Sequence, residues 1–150
     1  MTDIHFYHLQ RQPLEAVLPT LLLRSGERGW RSLVRLGSEA RMAALDDHLW
    51  SFSDESFLAH GTEAEADLAD QPVLLTTGDQ NRNGAAMLFL VEGAAWPPDL
   101  AGYERVALLL DGRDEAAVAA AREDWRRVRS GGHPVTYWAQ DDEGRWRKRA

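Results

Sequence analysis

The sequence predicts a three-layer α/β/α domain around a mostly parallel or mixed, Rossmann-like sheet. Three observations carry that expectation. Segments with strand character alternate with segments of helical periodicity along the chain. Two of the strand segments, PVLLTT and RVALLL, are almost continuously apolar, as strands covered on both faces must be. Neither an internal repeat nor a low-complexity linker interrupts the pattern, and 150 residues suit one domain spanning 1–150.

Each element has its own local cause. IHFYHL, rich in β-branched and aromatic residues, reads as the first strand. Pro13 fits the start of a helix reaching about Arg24, because Leu14, Val17, Leu18, Leu21 and Leu22 recur at helical spacing and Gly26 and Gly29 follow. Arg31 to Leu36 is a short strand. Ser38 is a suitable N-cap for a helix to about Leu49 with Met42, Ala43, Leu45 and Leu49 on its apolar face. The stretch from Trp50 to Ala69 is less regular. PVLLTT, MLFLV and RVALLL supply three more strands, with the polar loop GDQNRNG after the first and AAWPPDL after the second. Asp114 to Arg129 is a strong helix stopped by Gly131 and Gly132. VTYWAQ, the turn DDEG and RWRKR form a last strand or hairpin.

Composition narrows function. The chain has no cysteine, which excludes thiolate catalysis, disulfides and Cys-based zinc sites and fits a reducing cytoplasm. MTDIHFYHLQRQP lacks the basic and apolar regions of a signal peptide, and every apolar run is too short for a membrane span. The expected location is the cytoplasm. The formal charge of −7 argues against a protein that coats DNA. Its distribution is uneven: between Ser38 and Asp79 ten acids face one base, Arg41, whereas from Ala121 to Ala150 eight bases face five acids. A basic surface on an acidic protein suits a short acidic ligand better than a long phosphate backbone.

Catalytic chemistry is sparse. SGERGW and GDQNRNG match neither G-x-x-x-x-G-K-S/T nor G-x-G-x-x-G, and the one lysine is Lys148. No nucleotide-binding loop, cofactor or metal is expected. His5, His8, His48, His60 and His133 make no helical H-x-x-x-H pair, and His5 and His8 point to opposite faces of a strand. Asp111, at the end of RVALLL, sits where open α/β sheets bind ligands. It could centre a small metal- or nucleotide-dependent enzyme, but Asp111-Gly112 also has the composition of a tight turn. Asp46-Asp47 reads as a solvated helix face.

Binding chemistry is better represented. Arg122, Trp125, Arg126 and Arg129 recur at i, i+3, i+4 and i+7 on the last helix. Forked guanidiniums can pair with carboxylates while the indole packs an apolar side chain, which suits a short acidic peptide ending in a hydrophobic residue. A half-buried Trp under a snorkelling Arg face would give the same spacing. Trp50 and Phe57, among acids near the second helix, have the character of interface anchors or of a small core cap.

FYHL at 6–9, LW at 49–50, SFLAHG at 56–61, QPVLLTT at 71–77, LLDG at 109–112, AAREDWRRVRSGGH at 120–133 and TYWAQDDEGRWRKRA at 136–150 together resemble the chi subunit family of bacterial DNA polymerase III. The resemblance covers essentially the whole chain in order. It implies a non-catalytic accessory subunit in the clamp-loader complex, part of a DNA-directed DNA polymerase whose active site lies in another subunit. It also implies that chi bridges the psi subunit and the single-stranded DNA-binding protein, whose acidic C-terminal tail ends in Phe, and meets DNA only indirectly. By position, Arg122, Trp125, Arg126 and Arg129 match the tail-binding helix. Arg122 and Arg126 would receive carboxylates, and Trp125, where a Tyr can occur, would pack the terminal Phe. Val118 departs from the family, in which a Lys can stand there. Trp50 and Phe57 match aromatic positions for psi or a competing helicase-like partner, and a chi-like adaptor serving a repair helicase is the alternative this leaves open.

Overall fold

The computed structural model describes residues 2–51, 60–62 and 68–149. In order these form β1 (Asp3–Leu9), α1 (Leu14–Glu27), β2 (Ser32–Arg35), α2 (Glu39–Ser51), β3 (Gly61–Thr62), a 3-10 turn (Leu68–Asp70), β4 (Val73–Thr76), β5 (Met87–Leu90), β6 (Arg105–Asp111), α3 (Glu115–Ser130), β7 (Val135–Gln140) and β8 (Trp146–Lys148). The strands make one sheet in the order β3-β4-β2-β5-β6-β1-β7-β8. Every pairing is parallel except β7 with β8. The mixed α/β sheet expected from the alternating elements is therefore present.

Two cores lie on the two faces of this sheet. On one face Val17, Leu18, Leu21 and Leu22 of α1 and Met42, Leu45 and Leu49 of α2 pack against Val34, Leu75, Phe89, Ala107 and Leu109. On the other, Ala121 and Val128 of α3 pack with Ile4, Phe6, Leu88, Leu90, Val106 and Leu110. Alternate residues of β1, β2 and β6 thus feed opposite cores, the period of two that a strand enforces. Burial on both faces explains why PVLLTT and RVALLL are almost continuously apolar. On α2 only the residues at i, i+3 and i+7 are buried, so Ala43, expected on the apolar face, is exposed instead.

Local chemistry closes the elements. Ser38 Oγ accepts the Arg41 N–H at 3.2 Å and starts α2, while Asp114 Oδ1 accepts the N–H groups of Ala116 at 3.0 Å and Ala117 at 3.2 Å and caps α3. α1 runs from Leu14 through Pro19 to Glu27, one turn beyond its predicted end. Proline cannot donate to the carbonyl four residues back. That carbonyl belongs to Glu15, and it accepts instead from His48 Nε2 of α2 at 2.8 Å. The GDQNRNG loop is held by its own asparagines: Asn83 Nδ2 donates to the Ser32 and Gln71 carbonyls, and Asn81 bonds Ala85 on both its amide atoms.

Candidate partner-binding site

α1 and α3 leave neighbouring strands, β1 and β6, toward opposite faces, which opens a crevice between the ends of those strands. Such a switch point is where open α/β folds hold ligands. Here it is an open volume of about 710 Å³ whose charged lining is Glu15, Glu92, Asp111, Asp114 and Asp124 against Arg41 and Arg113. Arg41 pairs with Glu92, and Arg113 Nε lies 3.5 Å from Asp111 Oδ1. The N-terminus of α3 is already served by Asp114, and that of α1 begins at Pro13, which has no N–H to offer. A phosphate would meet repulsion where a nucleotide-binding fold offers free donors.

Asp111 itself completes a turn. Its Oδ1 accepts the Arg113 N–H at 3.0 Å, and its carbonyl accepts the Asp114 N–H at 3.1 Å. Asp46 lies 3.0 Å from His60 Nε2, and Asp47 faces outward from the same helix. His5 and His8 do point to opposite faces. His5 is held by Asp3 at 2.8 Å and by the Trp138 indole N–H at 3.0 Å, whereas His8 Nδ1 meets the Tyr137 hydroxyl at 2.8 Å. Among the described residues no group of three or more His, Cys, Asp or Glu is placed to hold a metal ion, and no helix is long and apolar enough to cross a membrane.

The concentrated chemistry is on α3. Ala121 and Val128 mark its buried centre line, and Val118, Arg122, Trp125 and Arg129 run along the adjoining edge. Trp125 is half-buried against the core under α3, while Arg122, Arg126 and Arg129 are exposed. The indole Nε1 is buried without a hydrogen-bond partner among the described residues, so the indole shows carbon to solvent. Arg129 Cζ lies 4.8 Å from the centre of the indole ring, a cation–π contact worth about 0.5–1 kcal/mol at an exposed site. Arg126 stands about 100° further round the helix than Trp125 and pairs with Glu123. Both side chains of that pair are largely exposed, so it is weak and readily exchanged for another carboxylate. Arg122 has no ion-pair partner among the described residues. Arg127, omitted from the predicted stripe, faces the other way, pairing with Asp124 at 3.3 Å and covering Trp96 at 5.1 Å.

The Arg122 charge reaches His8 of β1 and Tyr137 of β7. Burial pushes the His8 imidazole below its ordinary pKa, and the Arg122 guanidinium lowers it further while Asp111 opposes. Burial likewise raises the Tyr137 phenol, with Arg122 opposing. Sequence reasoning did not connect Tyr137 or His8 with the stripe, because their nearness depends on the pairing of β1 with β7.

The second predicted pair is only partly within the described residues. Trp50, the last residue but one of α2, has 55% of its surface exposed, the one large apolar side chain so exposed among the described residues, and its ring centre lies 4.4 Å from that of His60. Phe57 lies outside the described residues.

Fold and site define a class: a doubly wound α/β domain whose open surface chemistry is a cationic, aromatic helix edge rather than its switch crevice. The family model described as DNA polymerase III chi subunit, HolC, matches residues 1–136, so the chain belongs to the DNA polymerase III chi subunit family, an accessory component of the polymerase assembly that replicates DNA. The chain is 32% identical over 139 residues to the DNA polymerase III subunit chi of Pseudomonas aeruginosa, covering 90% of this chain and 94% of that one. It is 24% identical over 101 residues to a protein of Rickettsia prowazekii named as a probable DNA polymerase III subunit chi, covering 67% of this chain and 59% of that one.

Proposed function

We propose that this chi-family chain is a non-catalytic cytoplasmic adaptor that binds the acidic, Phe-terminated tail of single-stranded DNA-binding protein along α3 and links it to the clamp loader. The observation that supports the reading is the co-location of a half-buried indole with exposed Arg122 and Arg129 on one helix edge, and exposed Arg126 on the adjoining face. Arg122 and Arg126 receive carboxylates in forked geometry, and Trp125 packs the terminal phenyl ring. Tethering of this kind holds the polymerase assembly near template already coated with protein, and needs no direct contact with DNA. On the opposite face of the sheet, exposed Trp50 serves as an anchor for a second partner, psi or a helicase-like protein, together with Phe57, seven residues further along the sequence.

Calorimetric titration with an acidic peptide ending in Phe tests the first surface. Arg122→Ala or Trp125→Ala should each weaken binding by about 1–3 kcal/mol, removal of the terminal Phe should weaken it comparably, and added salt should weaken all of them. Wild-type affinity in both variants would reject α3 as the tail site.

A further inference from the structure

The β7–β8 hairpin extends past the family match, which ends at residue 136, whereas β7 continues to Gln140 and β8 spans Trp146–Lys148. β8 is the outermost strand on its side of the sheet. Residues directly opposite in an antiparallel pair share a face. Ala139 stands opposite Arg147 and Gln140 opposite Trp146, and the Arg149 N–H donates to the Tyr137 carbonyl at 2.7 Å, which places Arg149 opposite Tyr137. Tyr137 is paired with Phe6 and packs against the core under α3. Arg147 and Arg149 therefore stand on the α3 side of the sheet. The alternation is confirmed by Trp146, which packs against the α1–α2 core on the other side.

That side of the molecule thus carries two rows of guanidiniums, one on the edge of α3 and one on β8, with Tyr137 and Ala139 between them. Strands are spaced about 4.8 Å apart, so β8 lies about 10 Å from β1, the breadth of one extended peptide. Arg122 acts on Tyr137 from the helix side, and Arg149 flanks the same residue from the strand side. Arg147 is held by Asp141 at 3.0 Å. Arg149 is exposed and has no ion-pair partner among the described residues.

We propose that the hairpin is the second wall of the acidic-peptide groove, with Arg149, assisted by Arg147, receiving carboxylates upstream of the apolar residue seated on Trp125. The inference rests on the tail-binding reading and adds specificity residues from the part of the chain beyond the family match. Charge complementarity commits it to an acidic peptide: Arg122 and Arg129 on the helix side and Arg147 and Arg149 on the strand side flank a floor of one phenol and one methyl group.

The full chain is titrated with a fluorescent peptide of four consecutive acids ending in Phe, and with its counterpart in which amides replace those acids. Arg149→Ala should weaken the acidic peptide about 3- to 10-fold, Arg149→Glu more, and neither should change affinity for the amide peptide. Circular dichroism confirms the fold of each variant. Unchanged acidic-peptide affinity in Arg149→Ala and in the Arg147→Ala/Arg149→Ala double variant, with Arg122→Ala still impaired, overturns the hairpin wall and leaves the α3 reading standing. No binding by the wild-type chain overturns both. A loss confined to a single-stranded oligothymidylate, with peptide binding intact, makes the occupant nucleic acid and also overturns the proposal.

Discussion

Replacing Gly112 by alanine probes the junction that sets α3 on the sheet. The Gly112 N–H donates to the Leu9 carbonyl at 2.7 Å, drawing the β6–α3 turn down over the end of β1. A Cβ built there would lie 2.3 Å from both Cδ2 and Nε2 of His8 and 2.8 Å from Cγ of Gln10. Gln10 is exposed and can swing away. His8 cannot do so without cost, since its ring is hydrogen-bonded to Tyr137 at 2.8 Å. Relief of the clash therefore costs about 1–3 kcal/mol for overpacking and about 1 kcal/mol for the broken hydrogen bond. The stiffer unfolded chain returns about 0.4–1 kcal/mol. The net expectation is a loss of roughly 1–3.6 kcal/mol, measured by urea unfolding at constant m. In a His8→Ala background the same substitution should cost little, giving a coupling of about 0.5–3 kcal/mol between the two sites. A loss below about 0.5 kcal/mol in the wild type, or equal losses in both backgrounds, would refute the steric argument.

Two further predictions concern histidines. Burial lowers the pKa of both His5 and His8, so the unfolded chain takes up protons first as pH falls through about 6.5. Stability should therefore decline between pH 7 and pH 5.5, above the carboxylate range, with a shallower slope in His8→Gln; a pH-independent midpoint over that window would contradict the assignment. His48→Ala removes the donor that serves the Glu15 carbonyl left open by Pro19. It should cost about 0.5–1.5 kcal/mol, and Pro19→Ala, which restores the helix's own donor, should abolish that cost; equal losses from His48→Ala with and without Pro19 would show that the carbonyl is not what His48 supports.

The elements were legible wherever a local rule decided them. Asp114 followed by an Ala-rich segment gives α3, Ser38 gives α2, and unbroken apolar runs give strands buried on both faces. Strand order was not legible, because parallel pairing joins segments far apart in sequence. β1 lies between β6 and β7, and no residue of FYHL encodes those neighbours. The same limit hid part of the proposed site. The spacing of Arg122, Trp125 and Arg129 is a property of one helix and could be read directly. Arg145, Arg147 and Arg149 alternate with period two and so share a face, a signal present in RWRKR. Whether that face is the one bearing α3 depends on the registers of β1 with β7 and of β7 with β8. For Trp50 the sequence left an interface anchor and a small core cap equally open; its 55% exposure and its ring contact with His60 come from the fold.

The placement of charge also resolves an apparent conflict between a chain of net charge −7 and the acidic ligand proposed for it. α2, with Glu39, Asp46 and Asp47, covers one face of the sheet, and the α3 stripe lies on the other. The two are separated by the sheet and two layers of side chains, further than the Debye length of about 8 Å at physiological ionic strength. Repulsion from the acidic face is therefore largely screened at the stripe. A carboxylate in contact with Arg122 or Arg126 is not screened in the same way, because no layer of ions fits between them. Net charge thus governs encounter at long range and solubility, whereas affinity follows the few guanidiniums that a ligand touches. An acidic α/β domain can in this way hold an acidic peptide end on one face while its opposite face repels the same peptide.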